Sequence, residues 1–242
     1  IDFYEGKIEV FDFSKLSNID AVVHLAAQVS VPVSIDDFGR SSSSNLLGTI
    51  KVIDFCSSSQ LPLVYASSSA LYGNLALGDD SSSTVDLLSP YGADKYVMEI
   101  YAKVAYKLYK LSSIGLRFYN VYGPRQDSSS AYSGVISIFS DRLLRGKSIT
   151  INGGFQSRDF IYVEDIVKAI DKAVATANKG IICEQINILT GRSISVDSIA
   201  DMLINAVGAK AQKIYQELPA GDPKRSKGTT AKMQQLLDID LD

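Results

Sequence analysis

The chain has 242 residues, enough for one sizeable hydrophobic core with room for a smaller lobe. Hydrophobic residues make up 46% and charged residues 21%, as in ordinary globular proteins, and a net charge of −3 offers no basic field to nucleic acid. No apolar run approaches the ~20 residues that span a bilayer, Ile1 opens no signal-peptide pattern, and two cysteines with one histidine make a metal site improbable, so a cytoplasmic enzyme is the expectation.

Along the chain, short apolar runs alternate with longer helical patterns, which predicts βαβ units around a mostly parallel sheet. Residues 20–25 read as the first strand, with His24 a structural residue at its end. The spacing of Leu46, Ile50 and Ile53 predicts a helix over 45–56. Residues 61–66 read as a second buried strand running into the serines at 67–69. Ser89 and Pro90 supply an N-cap and a first-position proline for a helix reaching about residue 111, with Met98, Tyr101, Ala102, Ala105 and Leu108 on one face. Further strands are predicted at 114–118 and 185–189. One helix begins near Glu164 and groups Ile166, Val167, Ile170 and Val174; another follows Ser195 and buries Ile199, Leu203 and Val207. Serine runs at 41–44, 57–59, 81–83 and 128–130 have the composition of linkers, yet linkers do not recur at the element boundaries of one compact domain.

Tyr91 and Lys95 stand four residues apart on one helical face. An ammonium beside a phenol favours the phenolate and draws a pKa of about 10 toward neutrality, so the tyrosine can act as general base on a substrate hydroxyl. The bare pair also arises by chance in helices. Its context adds weight, because a predicted strand runs directly into Ser67, Ser68 and Ser69, and ligands bind beyond the carboxyl ends of parallel strands. A serine there can relay or hold the proton; for Ser67 alone a serine-rich turn is a sufficient account.

Five motifs occur in order: Val22-Val-His-Leu-Ala-Ala27 followed by Asn45-Leu-Leu-Gly-Thr49; Ser67-Ser-Ser-Ala-Leu-Tyr-Gly73; Ser89-Pro-Tyr-Gly-Ala-Asp-Lys95; Gly115-Leu-Arg-Phe-Tyr-Asn-Val-Tyr-Gly-Pro-Arg-Gln126; and Ser157-Arg-Asp-Phe-Ile-Tyr-Val-Glu-Asp165. Together they cover nearly the whole chain and resemble the extended short-chain dehydrogenase/reductase family, and within it the NAD-dependent 4-epimerases of UDP-N-acetylglucosamine and UDP-glucose. The resemblance implies an α/β fold with a doubly wound, mostly parallel Rossmann-type sheet, N-terminally incomplete. That domain takes residues 1–119 with returning segments near 155–190, and a smaller mixed α/β substrate-binding lobe takes 120–242.

The resemblance also implies roles. Tyr91 is the base, Lys95 its partner and a ligand of the nicotinamide ribose, and Ser68 falls at the catalytic Ser/Thr position. NAD is the implied cofactor, with Leu25, Ala26, Ala27, Asn45, Ser67 and Phe118 around it beside Tyr91 and Lys95. The UDP-sugar falls to Val29, Ser30, Ser69, Asn120, Gln126, Gly134, Val135, Arg158, Asp222 and Ser226. Among these, Asn120 and Arg158 hold the diphosphate, arginine by its planar donor fork, and Asp222 contacts the ribose. Read from the residues alone, Arg158 can equally form a surface pair with Asp159, and Asn120 can satisfy turn backbone. A homodimer is implied through a four-helix bundle of the helices at 45–56 and 90–111, with Val97 and Val104 as apolar positions on the second.

Dehydratases of this family carry an Asp-Glu pair directly after the catalytic Ser/Thr, and its glucuronate decarboxylases a glutamate at the second of those positions; this chain has Ser69 and Ala70. 4-Epimerisation remains, since it needs no further acid or base. Ser226 stands where glucose-restricted members often carry tyrosine, which leaves room for an N-acetyl group. UDP-GlcNAc/UDP-GalNAc interconversion is therefore expected first and UDP-glucose/UDP-galactose next. The sequence departs from the family in lacking the Gly-x-x-Gly-x-x-Gly turn, in Lys7 where an aspartate near the adenine is usual, and in Pro219 where many members have a second diphosphate-binding arginine. The competing expectation is an inactive relative with a binding or regulatory role: the absent glycine-rich turn favours it, and the retained Ser68, Tyr91 and Lys95 oppose it.

Overall fold

A computed structural model describes residues 1–130, 133–219 and 221–241; Ala131, Tyr132, Ala220 and Asp242 of the predicted lobe lie outside the described residues. In chain order the elements are β1 (Val22–His24), α1 (Val31–Asp36), α2 (Phe38–Ser42), a wider π-helical turn (Ser43–Leu47), α3 (Gly48–Ser59), β2 (Leu63–Ser68) and α4 (Pro90–Tyr109). There follow β3 (Ser113–Phe118), β4 (Asn120–Tyr122), α5 (Val135–Leu144), β5 (Ile149–Asn152), β6 (Ser157–Tyr162), α6 (Val163–Lys179) and β7 (Cys183–Ile188). The chain continues through β8 (Ser193–Ser195), α7 (Val196–Val207), β9 (Lys213–Gln216) and α8 (Ala231–Leu237).

The main sheet is wholly parallel, in the order β1-β2-β3-β7. Alternation along its strands divides two cores. Leu63 and Tyr65 face α3 and α4, where Val52, Ile53, Cys56, Met98, Ala102 and Ala105 are buried. Val64, Ile114, Leu116, Ile186 and Ile188 face the other way, onto α6 and α8. Helices on both faces of a parallel sheet make the fold doubly wound, as the sequence implied. Gly115, in register with Tyr65, has no choice of residue: a Cβ there would lie 2.6 Å from the Tyr65 ring. Two smaller sheets carry the rest, β4-β6-β8 and β5-β9, over a third core built on Phe139, Leu143, Ile149 and Ile151.

Local chemistry explains the helix boundaries. The Ser89 side chain accepts from the Gly92 N–H ahead of Pro90, and Ser195 from Ser198, as predicted. The serine run at 41–44 lies in helix, not linker. Ser41 and Ser42 both donate to the Asp94 carboxylate of α4, at 3.2 and 2.8 Å. The run at 128–130 is a turn that accepts order from Asp127, and the run at 57–59 closes α3. The predicted face of α4 needs correction: Met98, Ala102 and Ala105 are buried, but Tyr101 is 42% and Leu108 66% exposed. Val167 on α6 and Val207 on α7 are exposed as well. Among the described residues, no helix is long and apolar enough to cross a membrane.

Candidate functional site

A cavity of about 570 Å³ opens beyond the carboxyl ends of β2 and β3, where Tyr91, Lys95, Ser67, Ser68 and Phe118 meet Asn120, Arg158 and Asp222. A second of about 210 Å³ shares Ser68, Tyr91, Asn120, Arg158 and Asp222, and adds Ser69 and Ser226. Parallel strands leave their terminal backbone groups at this end, which is where such sheets bind ligands.

The first turn of α4 is held from outside the helix. The Tyr91 N–H donates to Ser34 Oγ of α1 at 3.2 Å. Lys95 is 2% exposed, donates from Nζ to the Ala66 carbonyl at 2.7 Å, and sits 5.8 Å from the centroid of the Tyr91 ring. The electrostatics differ from the simple expectation of a phenol lowered by its lysine. Burial pushes the Tyr91 phenol up, with the Ser68 side chain pulling the other way. Burial also pushes the Lys95 ammonium down to about 8, against a smaller opposing pull from Asp94. Loss of water thus shifts both groups toward their neutral forms, while the Ala66 carbonyl gives the Lys95 ammonium a partner.

Four helix steps beyond Lys95, Glu99 is fully buried and receives two hydrogen bonds from Arg117 of β3, Nε to Oε1 at 2.8 Å and Nη2 to Oε2 at 2.7 Å. Ser67 Oγ donates to the same carboxylate at 2.6 Å. Ser67 is therefore a ligand of Glu99 as well as a wall of the larger cavity. Ser68 caps the following turn through the Ala70 N–H.

Other predicted residues fall into three groups. Leu25, Ala27, Gln126, Gly134 and Val135 line the larger cavity, and Val29 both cavities. Ala26 and Ala27 also line a separate space of about 580 Å³ with Lys7, Arg40 and Ser43. Asn45 and Ser30 line neither site cavity. Asn45 is fully buried and clamps the loop after β1, accepting from the Gln28 N–H at 2.7 Å and donating to its carbonyl at 2.9 Å. Ser30 caps α1 through the Val33 N–H.

Arg158 is buried and pairs with Asp222 through Nη2, so the alternative of a surface pair with Asp159 does not hold. Asp159 instead accepts from Thr190, and its carboxyl is pushed up by burial. Asn120 donates to the Asp159 carbonyl at 3.2 Å while facing both cavities. Sequence reasoning missed Gln156, whose buried Oε1 has no partner among the described residues and whose side chain lines the larger cavity. Its position two residues before Arg158, on the same face of an extended segment, was the available signal.

His24 is a structural residue, with Nε2 2.9 Å from Thr49 Oγ1. Burial first, and then the nearby Lys95 charge, push its imidazole down to about 4. The unfolded chain binds a proton at the ordinary value of 6.5 and the folded protein does not until about 4. Stability is therefore full above 6.5 and falls as pH drops toward 4, by about 3 kcal/mol in all. A His24→Gln variant is expected to lose that slope, which urea melts at pH 7, 5.5 and 4 would reveal.

The cavities and their residues fit a nicotinamide dinucleotide beside a nucleotide sugar. Small Ala26 and Ala27 let a ligand approach the backbone, Lys95 presents an ammonium beside Tyr91, and buried Arg158 faces the shared cavity wall. Comparisons agree with this geometry. Residues 4–188 match the model of the NAD dependent epimerase/dehydratase family. UDP-glucose 4-epimerase of Mycolicibacterium smegmatis is 31% identical over 244 residues, covering 94% of this chain and 77% of that protein. The UDP-N-acetylglucosamine 4-epimerase structure from Methanobrevibacter ruminantium M1, in complex with UDP-N-acetylmuramic acid, is similar with a TM-score of 0.89 and 31% identity over 98% of this chain and 76% of that one. UDP-glucuronic acid 4-epimerase from Bacillus cereus, with UDP-glucuronic acid and NAD, gives a TM-score of 0.90 and 30% identity over 98% of this chain and 76% of that one.

Proposed function

The chain belongs to the NAD dependent epimerase/dehydratase family, and from that premise we propose that it inverts a UDP-sugar at C4, with UDP-GlcNAc and UDP-GalNAc as the preferred pair. The observation that carries the reaction is the convergence of Tyr91, Lys95 and Ser68 on a cavity that also holds Arg158 and Asp222. Tyr91 takes the proton from the C4 hydroxyl and later returns it, Ser68 holds the oxygen in place, and Lys95 supplies positive charge that favours the phenolate. NAD, when bound, supplies the acceptor for the C4 hydride and a positive charge beside the phenol. Arg158 binds the diphosphate and Asp222 the ribose. Residues 1–119, with returning segments near 155–190, form the cofactor domain in this reading, and 120–242 form mainly the substrate lobe.

The finer choice of sugar rests on the smaller cavity. Its wall includes Val29, Ser69, Asn120 and Ser226, and the Ser226 hydroxyl is buried without a partner among the described residues. A small side chain with an unused hydroxyl suits an N-acetyl group, which brings both bulk and a hydrogen-bonding amide. A second reading, a UDP-uronate, is favoured by exposed Arg225 and Lys227 on the rim of the same cavity. Incubation with NAD and each of UDP-GlcNAc, UDP-glucose and UDP-glucuronate, followed by separation of the C4 epimers, decides among them. Highest kcat/KM is expected for UDP-GlcNAc. A faster UDP-glucuronate reaction would reverse the preference, and no epimer from any sugar would sink the reading. Ser226→Tyr is expected to lower kcat/KM for UDP-GlcNAc roughly 10- to 100-fold while sparing UDP-glucose.

The same reading includes a homodimer. Ile100, Val104 and Leu108 are exposed at four-residue spacing along α4, with Leu47 exposed on the neighbouring π turn. Such a stripe suits helix packing against a second copy.

A further inference from the structure

Three polar residues stand side by side across the α4 face of the main sheet: Ser67 on β2, Arg117 on β3 and Asn187 on β7. Buried polar groups are costly unless bonded, and these are bonded into one row. Beyond its two bonds to Glu99, Arg117 donates from Nη1 to Tyr72 Oη at 2.5 Å, and Tyr72 donates to Asn187 Oδ1 at 2.8 Å. Asn187 Nδ2 then donates to the carbonyls of Gly78 at 3.0 Å and Thr229 at 3.3 Å.

Asp80 completes the far end. Its carboxylate accepts from the Asn187 N–H at 2.8 Å and from Thr229 Oγ1 at 3.1 Å. The backbone at Gly78 in turn pairs with residues 227 and 229, at 2.8 and 3.0 Å. Thr229 lies three residues past Ser226. Between β9 and α8 the described residues contain no helix or strand, so the place of Ser226 is set by such bonds and by Ser193, which donates to its carbonyl at 2.6 Å. Glu99, Arg117, Asn187, Asp80 and Thr229 line neither site cavity.

We propose that Asn187 and Asp80 are positioning residues that hold the Ser226 wall at a set distance from the catalytic helix, through Tyr72 and the Arg117–Glu99 pair. Discrimination at the sugar is then determined partly by Asn187, Asp80, Arg117 and Glu99, none of which lines either cavity. This rests on the reading of the two cavities as a UDP-sugar site.

Thr229→Val tests it, because valine keeps the shape and removes the bond to Asp80. Calorimetric Kd values are compared for UDP-GlcNAc and for UDP, which lacks the sugar. The valine variant is expected to weaken UDP-GlcNAc about 5- to 10-fold, the worth of one hydrogen bond, with UDP unchanged and Thr229→Ser restoring the affinity. Thr229→Ala carries the same readout should the valine variant fail to fold, since it removes the same hydroxyl from Asp80 with less bulk. A lowered Tm with the UDP-GlcNAc to UDP ratio unmoved would overturn the proposal and leave the functional reading intact. Wild-type protein binding neither ligand would overturn the functional reading and the proposal with it.

Discussion

Replacing Tyr91 by phenylalanine is expected to lower C4 epimerisation by roughly 10²- to 10⁴-fold, the range for loss of a positioned general base, while the fold and UDP-sugar affinity persist. The ring is buried and keeps its packing in the variant, and only the hydroxyl near Ser68 is lost. Neighbouring polar groups are engaged elsewhere. Lys95 is committed to the Ala66 carbonyl, Ser67 to Glu99, and His24 to Thr49. Turnover assayed by separation of the C4 epimers, with Kd for the UDP-sugar measured alongside, distinguishes lost chemistry from lost binding. Full activity in the phenylalanine variant would refute the mechanism.

Lys95→Met is expected to do two opposite things. Turnover falls about 10²-fold or more, because the phenolate loses its fixed positive neighbour. Stability rises. The Lys95 ammonium is held at about 8 in the folded protein against an ordinary value of 10.5. The unfolded chain binds the extra proton between those values, so wild-type stability climbs with pH from about 8 to 10.5. Below 8 the folded protein carries the full burden of a buried charge, about 3 kcal/mol, offset in part by the bond to Ala66. Methionine removes that burden. The variant should melt higher than wild type at pH 6, with the margin closing as pH rises past 8 toward 10.5. Wild-type activity should also decline above about 8 as the ammonium discharges. A margin over wild type no larger at pH 6 than at pH 10 would contradict the burial account.

The parallel sheet was legible because its strands are short runs rich in apolar residues, which stand out between helical patterns. Ser89 and Ser195 were legible as caps for the same local reason. What failed was the buried face of α4. Tyr101 and Leu108 lie roughly 60–80° round the helix from the line of Met98, Ala102 and Ala105, and the arc that is buried instead carries Tyr91, Lys95 and Glu99. A hydropathy pattern assigns charged residues to solvent, so a helix that buries its catalytic face is read with its stripe rotated. The row from Ser67 to Asn187 was illegible for another reason. Its members are separated by 50 and 70 positions, and only strand register brings them together. The role of the serine run at 41–44 was illegible because composition cannot tell a solvated hydroxyl from one bonded to a distant carboxylate such as Asp94.

The π turn at Ser43–Leu47 has a further consequence. A helix that widens by one residue changes the phase of everything after it. Ser41 and Ser42, before the turn, follow the angular schedule set by Asp94, while Val52, Ile53 and Cys56, after it, follow the one set by the sheet. The two schedules need not agree. A mutation that retunes the segment ahead of the turn can thus proceed without reseating α3, and this stretch of chain can diverge in two independent halves although it reads as one continuous helix.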